Sequence, residues 1–483
     1  MRRSSLAIVS LWLVACHADV APNPQVGTTP PTGSALPPVE PPVATTKPKA
    51  PDLPRDRSVS TPAIRDAHAH AQEVVLGSAA LPLELPPAGA DVHGRYTPLF
   101  EPEGSDPLAS FYAALDGLKA GKTDKVRVMV YGASGTAADR WTAYLRAYLQ
   151  ARFGDGGPGF VPLGKATKWS RHNEYTLASS KQWIKHSRGK SASEGAHYGL
   201  LGAALAAKKK GASCSIAPAK SSASSRAVAS FELWYLQQPG GGKAEVTLDG
   251  KVAATIDTRA DKAGAGYLKV PCDAGGRTLG LRTLDDAEVR TFGVVAETAT
   301  PGVVVDTLGI VGQHASWMLD WDPALWAEHM VRRDPALVVF AFGTNEAYDK
   351  RFDESRFVTQ YGEALARIRS TLPKASCVLM APGDQGKPGD ELSPVHDANL
   401  AIVRRIEREL ASKHGCALWD AQAFMNNPGG MDAWVKADPP LAKDDYVHTT
   451  SRGASMIAMA VADAIMWSYD ATRVDASAVA SGR

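Results

Sequence analysis

Residues 125–135 read KVRVMVYGASG, an apolar, β-branched run that ends in a glycine, an alanine, a serine and a second glycine. Such a run marks a buried strand, and the small residues behind it mark a turn. The next stretch, RWTAYLRAYLQARFG at 140–154, has the apolar spacing of an amphipathic helix. Strand, turn and helix open an α/β unit with Ser134 in its turn. By itself the turn does not separate a nucleophile from a small polar filler.

The same alternation returns downstream. GVVVDTLGIVG (302–312), ALVVFAFGTNE (336–346), SCVLMAPGD (376–384) and CALWD (416–420) read as strands. DESRFVTQYGEALARIRSTL (353–372), SPVHDANLAIVRRIERELASKHG (393–415) and SRGASMIAMAVADAIMWSYD (451–470) read as the helices around them. This order predicts a parallel sheet flanked by helices. Between the two blocks the texture is different. SFELWYLQQPGGGKAEVTLDGKVAATIDT (230–258) alternates in the strand period, with LDGK as a hairpin turn, and further short strands follow to Glu297. The expected class is therefore α/β, a three-layer α/β/α parallel sheet over 104–169 and 298–475, interrupted by an inserted β-sandwich over 170–297.

A chain of 483 residues exceeds one ordinary domain, in keeping with that division. The net charge of +2 and 22% charged residues exclude a polyanionic partner, and Lys208-Lys209-Lys210 reads as a solvated loop, so no nucleic acid is expected. The N-terminus, MRRSSLAIVSLWLVAC, has two arginines, a short apolar run and small residues, the pattern of a secretory signal. Leu13-Val14-Ala15-Cys16 resembles the lipobox of bacterial lipoproteins, which implies cleavage before Cys16 and lipidation of its thiol. A Pro-rich linker follows over 17–103, its last forty residues read as loop. The expectation is an exported, membrane-anchored lipoprotein, periplasmic or at the cell surface. In an oxidising compartment the four remaining cysteines can pair in three ways, of which Cys214–Cys272 with Cys377–Cys416 is favoured because each bond then falls inside one domain.

Sites in parallel sheets form at the carboxyl ends of strands. Here those ends carry Ser134, Gly312 and Asn345, and the loop before the last helix, KDDYVHTTSRGA, carries Asp445 and His448. An aspartate three residues before a histidine is placed to accept from one ring nitrogen and leave the other to take a serine proton. Solvation of the loop by Asp445 and capping of the helix by His448 would account for the same pair. Asn345 offers a side-chain amide and Gly312 an unhindered N–H to a developing oxyanion. Glu346 reads as a loop-bracing acid. Asp66, His68 and His70 have ligand-like spacing but no strand or carboxylate cluster to complete a site, so no metal is expected. Trp234, Tyr235 and Tyr267 read as sandwich core before they read as a sugar-stacking surface.

Together YGAS (131–134), GIVG (309–312), GTN (343–345) and DYVH (445–448) resemble, in order and in element, the four blocks of the SGNH (GDSL-type) hydrolases. The resemblance covers roughly 104–170 and 298–470 and implies a flavodoxin-like hydrolase sheet. It implies Ser134 as nucleophile, His448 as base, Asp445 as its orienting partner, and an oxyanion hole of Ser134 N–H, Gly312 N–H and Asn345, with no cofactor. The α/β-hydrolase elbow G-x-S-x-G does not fit, because position 136 is threonine. One departure is Ala133, where the family's first block usually has aspartate.

Within the family, a β-domain inserted after the first block is the layout of peptidoglycan O-acetylesterases, whose insert resembles a carbohydrate-binding module. The implied activity is a serine esterase that removes acetyl or another small acyl group from a carbohydrate. Acetyl transfer to a glycan, or non-catalytic carbohydrate binding at a surface, are the alternatives that the sequence leaves open.

Overall fold

Five parallel strands form the sheet that carries the site, in the order Gly302–Gly309, Lys125–Gly132, Leu337–Ala341, Ser376–Ala381, Ala417–Asp420. The computed structural model describes residues 62–83, 97–165, 170–188, 196–219, 228–272, 277–386, 394–425 and 430–480. The strand period sorts side chains to two faces. Val126, Val128 and Val130 enter one apolar core, and Met129 and Tyr131 enter the other. Burial on both faces is why these strands read as continuous apolar runs.

Helices Trp141–Phe153 and Ser451–Ala480 lie over the first face, and Pro323–Arg333 and Glu354–Thr371 over the second. The α/β class expected from the alternation is the class found. Helix Trp141–Phe153 differs from its amphipathic reading, because it is buried nearly all round. The cause is helix Pro62–Leu76, which covers its far side inside a stretch read as loop. That helix buries only Ile64, Ala67, His68 and Ala71, so it lacks the large apolar stripe that would have revealed it. His68 is occupied structurally: its ring nitrogens lie 3.0 Å from Tyr144 Oη and 2.9 Å from Asp463 Oδ1, and it stacks on Tyr148.

Antiparallel strands run from Gly159–Val161 to Val289–Glu297. They form a six-stranded and a five-stranded sheet. Leu177, Ile216, Phe231, Leu233, Val246 and Leu281 fill a shared core between the two. This is the sandwich expected. The outer face of the six-stranded sheet packs on helix Pro323–Arg333, where Trp234 lies 4.7 Å from the ring of His329. Trp234 is fully buried and Tyr235 nearly so, while Tyr267 donates to Glu328 and stacks under Arg332. These aromatics are packing residues.

Cys377 and Cys416 are disulfide-bonded, as expected. The parallel register that sets Val378 against Ala417 brings them side by side. Closing a loop of 39 residues restricts the unfolded chain, so removing the bond with Cys377→Ala and Cys416→Ala lowers unfolding free energy by about 2–4 kcal/mol in urea titrations. The expected Cys214–Cys272 bond is not made. Cys214 belongs to the five-stranded sheet and Cys272 directly follows strand Gly264–Pro271 of the six-stranded one. Facing sheets stand about 10 Å apart, beyond the Cα separation of about 4.4–6.8 Å that a disulfide spans.

Cys16 and most of the Pro-rich segment lie outside the described residues. Among the described residues, no helix is long and apolar enough to cross a membrane.

Candidate active site

The strand order decides where the site forms. Lys125–Gly132 lies between Gly302–Gly309 and Leu337–Ala341, so the turn holding Ser134 sits between the turns holding Gly312 and Asn345. Ser134 begins a one-turn helix, Ser134–Ala137, that lies directly on the strand ends. Two glycines make the contact possible. A Cβ on Gly132 would come 2.2 Å from Thr136 Oγ1, and one on Gly309 would come 2.2 Å from the Ala137 nitrogen.

Ser134 Oγ is 3.0 Å from His448 Nε2, and His448 Nδ1 is 2.9 Å from Asp445 Oδ2. A carboxylate only accepts, so Nδ1 carries the proton and Nε2 is left to accept from the serine hydroxyl. Asp445 is fixed in turn by its own loop, since Oδ1 accepts from the backbone N–H of Val447 at 3.0 Å and of His448 at 2.8 Å. Partial burial opposes ionisation of Asp445. The amides of His448 and Val447 and the His448 ring outweigh it and hold its pKa below the ordinary carboxylate value. The His448 and Asp445 side chains are 44% and 45% exposed, so this pair stands at an open surface rather than in a tunnel.

The oxyanion candidates lie on both sides of the serine. Gly312 adopts a left-handed φ of +76° in the turn after Gly302–Gly309. Asn345 opens the short helix Thr344–Tyr348 and donates one amide hydrogen to Gln313 O at 2.9 Å, which leaves the other hydrogen for a ligand. Glu346 ties the two turns together. Its carboxylate accepts from Ala315 N at 2.7 Å and from Gly343 N at 3.0 Å, the bracing role read from the sequence. Burial raises its pKa, opposed by His314 and by those two amides.

A second brace went unread in the sequence. Asp139, in the turn after the Ser134 helix, is buried and has a left-handed φ of +44°. Its Oδ1 accepts from Thr142 and Thr307, and its Oδ2 accepts from Asn173 N and from Arg146 at 2.8 Å. Arg146 also bonds Glu174 at 2.9 Å, so one buried network joins the turn after the Ser134 helix, helix Trp141–Phe153 and the entry to the antiparallel region. An aspartate seven residues before an arginine was the local sign. Ala133 precedes this turn without a side chain that can brace it, and Asp139 anchors the turn's far end.

Residues 278–455 match the model of the GDSL-like Lipase/Acylhydrolase family. The match takes in Gly312, Asn345, Asp445 and His448 and begins downstream of Ser134. A solved structure of a peptidoglycan O-acetylesterase shares the fold, with a TM-score of 0.61 at 21% identity over 76% of this chain and 97% of that one. An acetylxylan esterase, Axe2 from Geobacillus stearothermophilus, overlaps 34% of this chain and 73% of its own at 21% identity and a TM-score of 0.26. A family two carbohydrate esterase from Cellvibrio japonicus overlaps 62% of this chain and 99% of its own at 11% identity and a TM-score of 0.25. No curated protein matches the chain.

Proposed function

We propose that this chain, which carries a GDSL-like lipase/acylhydrolase domain and is a carboxylic ester hydrolase, removes O-acetyl groups from a carbohydrate by an acyl-enzyme route. The observation that carries the mechanism is the hydrogen-bonded line from Ser134 through His448 to Asp445. Ser134 Oγ attacks the ester carbonyl as His448 Nε2 takes its proton. The tetrahedral oxyanion is met by the N–H groups of Ser134 and Gly312 and by the Asn345 amide. Collapse expels the sugar alkoxide, protonated by His448, and leaves acetyl-Ser134. Water, deprotonated by His448, then releases acetate and restores the serine.

The carbohydrate reading draws support from the open setting of His448 and Asp445, which admits a polymer without a tunnel. It also draws on the fold shared with a peptidoglycan O-acetylesterase. The test is acetate release from a panel of O-acetylated peptidoglycan and polysaccharides. Release from at least one, with the glycan recovered otherwise intact, is the expected result. Turnover of aryl acetate with no release from any glycan would move the substrate elsewhere.

Asp445→Asn retains the shape but loses the charge that fixes the tautomer. It should lower kcat by about 10²–10⁴-fold in an aryl acetate assay with little change in KM. Export and lipid anchoring at Cys16 belong to the same proposal. Cys16→Ser then moves the protein from the detergent phase to the aqueous phase in phase partitioning.

A further inference from the structure

A cleft of about 460 Å³ opens beside the oxyanion side of the site. His314, Ser316 and Trp317 line it from the turn that follows Gly312, and Arg356 and Gln360 from helix Glu354–Thr371. Arg188 reaches it from the antiparallel region, just after strand Ile184–His186. The cleft adjoins the two oxyanion turns, because Glu346, which ties them together, is also one of its walls.

The lining selects a chemistry. Several of its charged groups already have partners: Arg188 pairs with Asp320 outside the lining, Arg351 lies 4.0 Å from Asp349, the Arg356 guanidinium donates to Arg351 O, and Asp353 caps its helix through Arg356 N. A phosphate or a dianion would have to compete with those carboxylates. The side chains of Ser316 and Gln360 make no hydrogen bond among the described residues, so a hydroxyl and an amide remain for a ligand. Trp317 is half-buried, with the His314 ring nearly parallel at 15° and Arg188 5.8 Å from its centroid. An aromatic ring beside an uncommitted hydroxyl and an uncommitted amide suits a polyhydroxylated ring with apolar faces. The volume lies within the range of about 300–1,000 Å³ that holds small organic ligands.

We infer that this cleft is a sugar-binding subsite, completed by Arg188 of the antiparallel insert, that holds the neutral sugar residue next to the one bearing the acetyl ester. The inference rests on the esterase reading for the second half of that statement, and its test separates the two. Wild-type, Trp317→Ala and Arg188→Ala proteins are assayed on 4-nitrophenyl acetate and on O-acetylated glycan oligomers. In parallel, the binding of chitotetraose, a neutral N-acetylglucosamine oligomer, is measured by calorimetry in the Ser134→Ala background. Arg188 is exposed enough that its replacement leaves the fold in place.

The expected result is that each variant raises KM for the glycan oligomers, Trp317→Ala by about tenfold or more, while aryl acetate turnover is unchanged. Chitotetraose binding by the Ser134→Ala protein should weaken in the same proportion. Equal losses on both esters, or glycan kinetics and chitotetraose binding untouched by either replacement, would overturn the subsite. If the wild-type protein releases no acetate from any glycan but binds chitotetraose through Trp317, the esterase reading fails and the subsite stands.

Discussion

Replacing Ser134 with alanine lowers kcat for an acetyl ester by about 10,000-fold or more while the fold is kept. The effect is this large because no other group in the hydrogen-bonded line can take the acyl group. His448 Nε2 would lose the hydroxyl to which it is bonded at 3.0 Å. The fold is kept because the Ser134 side chain makes no other hydrogen bond among the described residues. Its helix is held by backbone bonds from Ala137 N to Ala133 O and from Ala138 N to Ser134 O, which alanine also makes. Circular dichroism and the thermal midpoint check the fold, and initial rates on aryl acetate check the loss. Undiminished rates would remove Ser134 from its role.

Replacing Arg146 with methionine costs about 3–5 kcal/mol of unfolding free energy, read by denaturant titration. Arg146 is 1% exposed and is the shared partner of Asp139 and Glu174, which are themselves buried. Taking it away removes the guanidinium bonded to two buried carboxylates, a larger loss than the value of the pair itself. Burial opposes ionisation of Asp139, but Arg146, helped by His172 and the Asn173 amide, outweighs it and holds the pKa at about 2. A depressed carboxyl of this kind stabilises the fold at any pH above its unfolded value near 4. That contribution is lost as pH falls toward 2. Glu297, bonded to Arg127 and Arg333 and also held at about 2, acts with the same sign. Stability of the wild-type protein should therefore fall steeply between about pH 4 and pH 2, and less steeply in Arg146→Met.

Because this network also anchors the turn behind Ser134, Arg146→Met should reduce activity even where the protein remains folded. In this chain Ala133 cannot brace that turn, and the buried carboxylate stands at 139, behind the nucleophile.

Much of the fold was legible because burial follows local period. The apolar runs 125–130 and 302–308 announce strands buried on both faces, and the alternation in 230–258 announces antiparallel strands. The candidate site was legible as an order of residue types at strand ends. Helix Pro62–Leu76 was not legible, because it is held by small residues and by a buried histidine bonded to Asp463, nearly four hundred positions away. The cysteines divide on the same ground. Cys377 and Cys416 are neighbours through strand register, whereas Cys214 and Cys272 share a domain but lie on separate sheets.

By itself the sequence determined the α/β class, the antiparallel interruption and the residue types placed at the strand ends, because each is written in spacing over a few residues. Only the tertiary structure decided that Lys125–Gly132 lies between the strands that lead to Gly312 and Asn345, and that the last loop folds back to set His448 3.0 Å from Ser134. Strand order and loop return depend on many weak contacts between distant segments. No local pattern carries that information, so the turn at Ser134 acquires its partners only when the sheet is assembled.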